Sequence, residues 1–94
     1  MSDRVVNATL LASRAAKLSQ QLRGEADRWT GAKRDDLLAT SYNLGVAVGS
    51  TLRDPIGVER MLLRGIEVLT LAGTLRMKRD TDSFLADPKG FAHE

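Results

Sequence analysis

Apolar residues recur at helical spacing through most of the chain, and the width of the stripe they draw changes from one segment to the next. Ala8, Leu11, Ala15, Leu18 and Leu22 fall at alternating three- and four-residue steps, the period that lines one face of a helix. Asn7, Arg14, Lys17, Gln20 and Gln21 occupy the other side. This predicts a helix over about 3–28 with Ser2 as its cap. Trp29 prolongs the seam beyond Glu25, as a large ring closing the top of a helical core. Gly24 costs about 1 kcal/mol in a helix interior relative to Ala, so the helix is expected to loosen or end there.

Trp29-Thr30-Gly31 is a turn signal: Thr30 suits an N-cap and Gly31 accepts whatever backbone angle the reversal needs. A second helix is predicted over 32–52, with Leu37, Leu38, Tyr42, Leu44, Val48 and Leu52 on its buried face. Beside them Ser41, Gly45 and Gly49 recur every fourth residue, which strips one face of bulk and lets another backbone approach closely.

Asp54 and Pro55 then supply an N-cap and a first helical residue. The helix they open is predicted over 55–78 and differs from the others. Ile56, Val58, Met61, Leu62, Leu63, Ile66, Val68, Leu69, Ala72, Leu75 and Met77 cover roughly two-thirds of its circumference at about 100° per residue. A narrow polar stripe of Arg60, Arg64, Glu67, Thr74 and Lys78 remains, with Leu71 inside it. A surface helix ordinarily buries a stripe little wider than ~100°, so this one demands cover from more than one side. Beyond it, Asp80 or Thr81 is expected to cap a short helical turn carrying Phe84 and Leu85, at the start of a tail spanning 79–94. The predicted fold is all-α, a single domain 1–94 with three helices in an up-down-up arrangement, a short C-terminal helical turn and a tail.

Composition narrows the chemistry. The 94 residues include no cysteine, which removes disulfides and thiolate chemistry. The one histidine, His93, lies in the tail, away from any packed acid/base or metal site. Asp35 with Asp36, and Asp80 with Asp82, sit near predicted helix starts, where acids complement the dipole. No phosphate loop, nucleophile elbow or metal-ligand spacing is present. The expectation is a non-enzymatic protein without cofactor, catalytic residue or metal. No run of apolar residues suits a signal peptide or a membrane span, so a cytoplasmic location away from membranes is expected. The net charge is only +2, and an up-down-up arrangement gathers Arg23, Arg28, Lys33, Arg34, Arg76, Lys78 and Arg79 with Glu25, Asp27, Asp35, Asp36, Asp80 and Asp82 at one pole. Such a balance reads as a salt-bridged, solvated rim.

Segment 41–53, SYNLGVAVGSTLR, resembles a DNA-binding helix-turn-helix, in which a small residue precedes Leu-Gly-Val at the turn and a Ser/Thr-rich step with an Arg opens the recognition helix. The resemblance implies a break at Gly45, with Ser50, Thr51 and Arg53 meeting phosphates and bases. The segment carries one residue too many before its Ser-Thr step, and Pro55 with Gly57 would cut the recognition helix short. Arg60 and Arg64, one turn apart, form a second candidate anion or nucleic-acid contact.

Two functional readings follow. The first is a protein–protein interaction module of adaptor, antagonist or co-chaperone type, acting as a homodimer or larger homo-oligomer on a protein partner of unknown identity. Its interface is expected at Ser41, Gly45, Gly49, Val58, Met61, Leu69 and Leu71. The alternative is a small DNA-binding regulator working through 41–53.

Overall fold

The computed structural model describes residues 2–87, with side chains from Ala8 onward; His93 and Phe91 of the expected tail lie outside the described residues. Three helices, α1 (Ser2–Ala26), α2 (Gly31–Val48) and α3 (Pro55–Ala86), form an elongated bundle of 59 × 23 × 17 Å. Among the described residues there is no strand. Leu18 of α1 meets Gly65 of α3 and Glu25 meets Arg76, so α1 and α3 rise together and α2 returns between them. The expected all-α, up-down-up arrangement is present.

The core follows the predicted α1 seam closely. Ala15, Leu18, Leu22 and Ala26 of α1 close on Leu37, Leu44 and Ala47 of α2 and on Val58 and Ala72 of α3. Two residues expected on the buried face of α2 point outward, since Tyr42 and Leu52 are both exposed. Leu52 leaves because α2 is shorter than its pattern suggested. It ends at Val48, and residues 49–53 form a turn in which Ser50 N–H donates to the Ala47 carbonyl at 2.9 Å and Thr51 N–H to that of Val48 at 3.3 Å. These tight bonds, with the Thr51 hydroxyl donating to the same Val48 carbonyl at 2.7 Å, satisfy carbonyls that a helix end would leave bare.

At the other reversal, Gly31 adopts φ +67°, a left-handed angle that suits glycine. Thr30 sits at the N-cap position with extended backbone, but its side chain makes no capping bond. Asp54 does cap α3, accepting from Gly57 N–H at 3.0 Å, with Pro55 opening the helix.

The third helix is longer than expected. Asp80 and Thr81 begin no separate turn; they lie inside α3, which runs unbroken to Ala86. No Pro or Gly interrupts it after Gly73. It stops at Asp87, whose φ of −148° and ψ of 78° leave the helical region, as the residue ahead of a proline is driven to do. Phe84 and Leu85 are therefore residues of α3 itself.

The stripe by which α3 enters the core is made of small side chains. Val58, Gly65 and Ala72, seven residues apart, are its buried positions. A Cβ on Gly65 would stand 2.8 Å from a Leu18 methyl and 3.4 Å from one of Leu44, so glycine is what lets the three helices close at that level. Gly24, by contrast, is exposed and its Cβ would meet nothing within 4 Å.

The two glycines should therefore answer alanine oppositely. Gly24→Ala is expected to raise stability by up to ~1 kcal/mol through helix propensity. Gly65→Ala is expected to lose on the order of 1 kcal/mol, because overpacking of about 1–3 kcal/mol exceeds the same propensity gain. Urea unfolding followed by circular dichroism measures both.

Candidate interaction surface

One pole of the bundle is held by a polar clamp. Glu25 is buried, and its carboxylate accepts from Arg76 Nε at 2.8 Å, from an Arg76 Nη at 3.3 Å and from Trp29 Nε1 at 3.0 Å. One turn further along α3, the Arg79 guanidinium lies 4.7 Å from the centre of the Trp29 ring and donates to the Arg28 carbonyl at 3.0 Å, a cation–π contact combined with a hydrogen bond. The Arg76 guanidinium beside it holds the Glu25 carboxyl below its ordinary range, against the opposing effect of burial. Trp29 thus closes the top of the core as expected, while the charges around it form a partly buried, directional lock in addition to solvated pairs such as Lys78 with Asp82.

A second clamp joins α1 and α2. The Ser19 hydroxyl donates to the Ser41 carbonyl and the Ser41 hydroxyl to the Ser19 carbonyl, each at 2.7 Å. One turn on, a Cβ at Gly45 would lie 3.4 Å from Ser19 Oγ. The small-residue ladder expected to receive a partner is thus taken by the chain's own α1 at Ser41, while Gly45 stays exposed beside Ser19 and Gly49 caps α2 in an exposed turn. Val58 is buried in the core, Met61 and Leu69 pack half-buried against it, and only Leu71 among the expected α3 interface residues is largely exposed. The sequence pattern could not say which of the several apolar stripes of α3 the bundle would bury, and the fold takes Val58 and leaves Leu71 out.

The helix-turn-helix geometry is not found. Gly45 lies inside a continuous α2, and no recognition helix begins at 49–53. Thr51 is buried with its hydroxyl bonded to Val48, Arg53 is exposed in the turn, and Ser50 with Arg60 lines a groove that also contains Asp54. Arg64 pairs with Glu67 at 3.6 Å on the surface. These residues are not assembled into one basic surface, and the groove's carboxylate opposes anion binding.

That groove, ≈ 630 Å³ between the second half of α2 and the start of α3, has Val46, Ala47, Val58 and Met61 along its apolar walls. It presents no nucleophile with an adjacent base. Among the described residues no group of three or more His, Cys, Asp or Glu side chains could hold a metal ion, and no helix is long and apolar enough to cross a membrane.

The most extended apolar surface lies on α3. Ile56, Leu63, Thr70, Met77 and Phe84 follow one another at intervals of seven, with Ile66 beside them, so they share a band roughly 80° wide and about 160° round the helix from Val58, Gly65 and Ala72. All are exposed, from 44% at Phe84 to 68% at Met77 among the large apolar ones. Sequence reasoning missed this row, although the signal was available: the seven-residue spacing of a pairing helix, hidden inside a helix apolar almost all round.

Comparison with protein families, curated proteins and solved structures finds no match for this chain.

The pole clamp makes stability depend on acid. A carboxyl whose pKa is depressed in the folded state contributes stability above its unfolded pKa and loses it as pH falls through the folded value. Glu25→Gln is expected to lower the thermal midpoint at neutral pH, and the gap from the parent chain should close as pH drops below the ordinary glutamate range. Thermal scans of both proteins across acid pH measure it.

Proposed function

We propose that the chain is a non-enzymatic, cytoplasmic protein–protein interaction module that acts as a homo-oligomer and presents α3 as its contact helix. The observation that carries this reading is the row of large apolar side chains on α3, opposite the face the bundle buries. Single exposed apolar residues are ordinary on a protein surface, whereas several large ones sharing one helix face mark a contact surface. The row runs over 29 residues from Ile56 to Phe84, about 42 Å at 1.5 Å per step, and so extends along nearly the whole of the 32-residue helix.

Light scattering at micromolar concentration tests the reading, with an expected mass of at least two 10.3 kDa copies. A monomer that binds no hydrophobic dye would overturn it. Leu63→Glu with Met77→Glu supplies the matched control. Both positions are more than half exposed in a single copy, so the folding stability of that copy by itself should move within about ±0.5 kcal/mol at each site. Association should weaken by about 30-fold or more, as loss of central contacts implies.

A further inference from the structure

We infer that the α3 contact is regulated by oxidation of Met77, whose conversion to the sulfoxide by hydrogen peroxide weakens association. This rests on the proposed self-association through α3 and goes beyond it by naming the modified atom and the oxidant.

Position singles out this sulfur. The chain has three methionines and no cysteine, so thioethers are its only oxidisable sulfurs. Met61 is half-buried against the core, and Met1 lies outside the described residues. Met77 is 68% exposed, at least as open as any other large apolar residue on the row. Its neighbours along the helix are small or polar: Gly73, Thr74, Asp80 and Thr81 stand three or four residues away, the spacing at which helical side chains meet. Gly73 has open space beyond its Cβ position. A peroxide therefore reaches the Met77 Sδ without displacing a packed side chain.

The step is a two-electron oxygen transfer. The Sδ lone pair attacks one peroxide oxygen, and the S–O bond forms as the O–O bond breaks. The departing oxygen takes up the proton of the transferred one and leaves as water, so sulfur is oxidised and the peroxide reduced. A flexible apolar side chain becomes a polar one. In an isolated copy the new oxygen stays hydrated at an open position, and the fold is unaffected. Within an apolar contact it must shed that water, and Leu63, Ile66 and Phe84 of the row carry no side-chain donor to replace it, so burial of the sulfoxide opposes association. The same cover shields the unmodified sulfur in the oligomer. Oxidation thus proceeds through the free subunit, and its rate falls as protein concentration rises.

The full-length protein treated with hydrogen peroxide and then quenched with catalase tests the inference. Peptide mass spectrometry is expected to find the added oxygen at Met77 before Met61. Light scattering should show association weakened by about 10-fold or more, the loss that an unpaired buried polar group implies, with the helical circular dichroism unchanged. Methionine sulfoxide reductases of both epimer specificities, supplied with a thiol reductant, should restore it. Met77→Leu keeps an apolar side chain without the sulfur, and its association should survive the same treatment. An oligomer that holds its affinity with Met77 fully oxidised would overturn the inference while leaving self-association standing. Equal sensitivity in Met77→Leu would place the effect on another residue and overturn it likewise. A chain that is monomeric before any oxidant is added would overturn the reading beneath it, and the inference with it.

Discussion

The close approach of α3 to α1 and α2 at Gly65 is the constraint from which the remaining architecture follows. With Leu18, Leu22 and Leu44 surrounding a position that has no side chain, the helix enters deepest through Val58, Gly65 and Ala72, flanked by the half-buried Met61, Leu62, Val68 and Leu69. At the level of Gly65 the large side chains come from α1 and α2, and α3 supplies the space for them. A helix cannot turn both faces inward. Once its small stripe is buried, the row led by Ile56, Leu63 and Met77, on the far side, is committed to solvent or to another molecule. The apolar surplus of α3 is thus a consequence of how tightly its opposite face is packed.

Two polar clamps fix the rotation that this packing requires. The reciprocal serine pair between α1 and α2 bonds each hydroxyl to the carbonyl of the opposite helix, which tolerates little sliding because both bonds are short and part-buried. The Glu25, Trp29 and Arg76 cluster does the same between α1, the first turn and α3. Separation of Arg76 from the buried Glu25 leaves a carboxylate partly desolvated and without its cation, so the clamp resists rotation of α3 about its own axis. A rotation large enough to bury Leu63 would carry Arg76 away from Glu25 and Arg79 away from Trp29.

The fold was largely legible in the sequence, and the division of α3 into a buried and an exposed face was not. The α1 seam of Ala15, Leu18 and Leu22, the Trp29 closure, the Gly31 reversal and the Asp54-Pro55 start of α3 are local signals, and each appears in the structure. The ends of α2 and α3 were less legible. Whether Thr51 prolongs α2 or folds back onto Val48 depends on a side-chain bond, and the end of α3 was set by Pro88, seven residues beyond the expected capping site at Thr81. The ladder at Ser41 and Gly45 is a place of close approach as expected, and at Ser41 the helix that arrives is the chain's own α1, which sequence does not reveal. For α3 the difficulty was degeneracy. With apolar residues on two-thirds of its circumference, periodicity gives several equivalent faces, and only the position of Gly65 against Leu18 chooses between them.

If the α3 row is covered by a further copy, folding and association share one free energy, and thermal stability must depend on protein concentration. Calorimetric scans over a hundredfold range of concentration measure that coupling directly. The midpoint is expected to climb steadily with concentration, and a midpoint that stays fixed across the range would contradict the claim that α3 requires a partner.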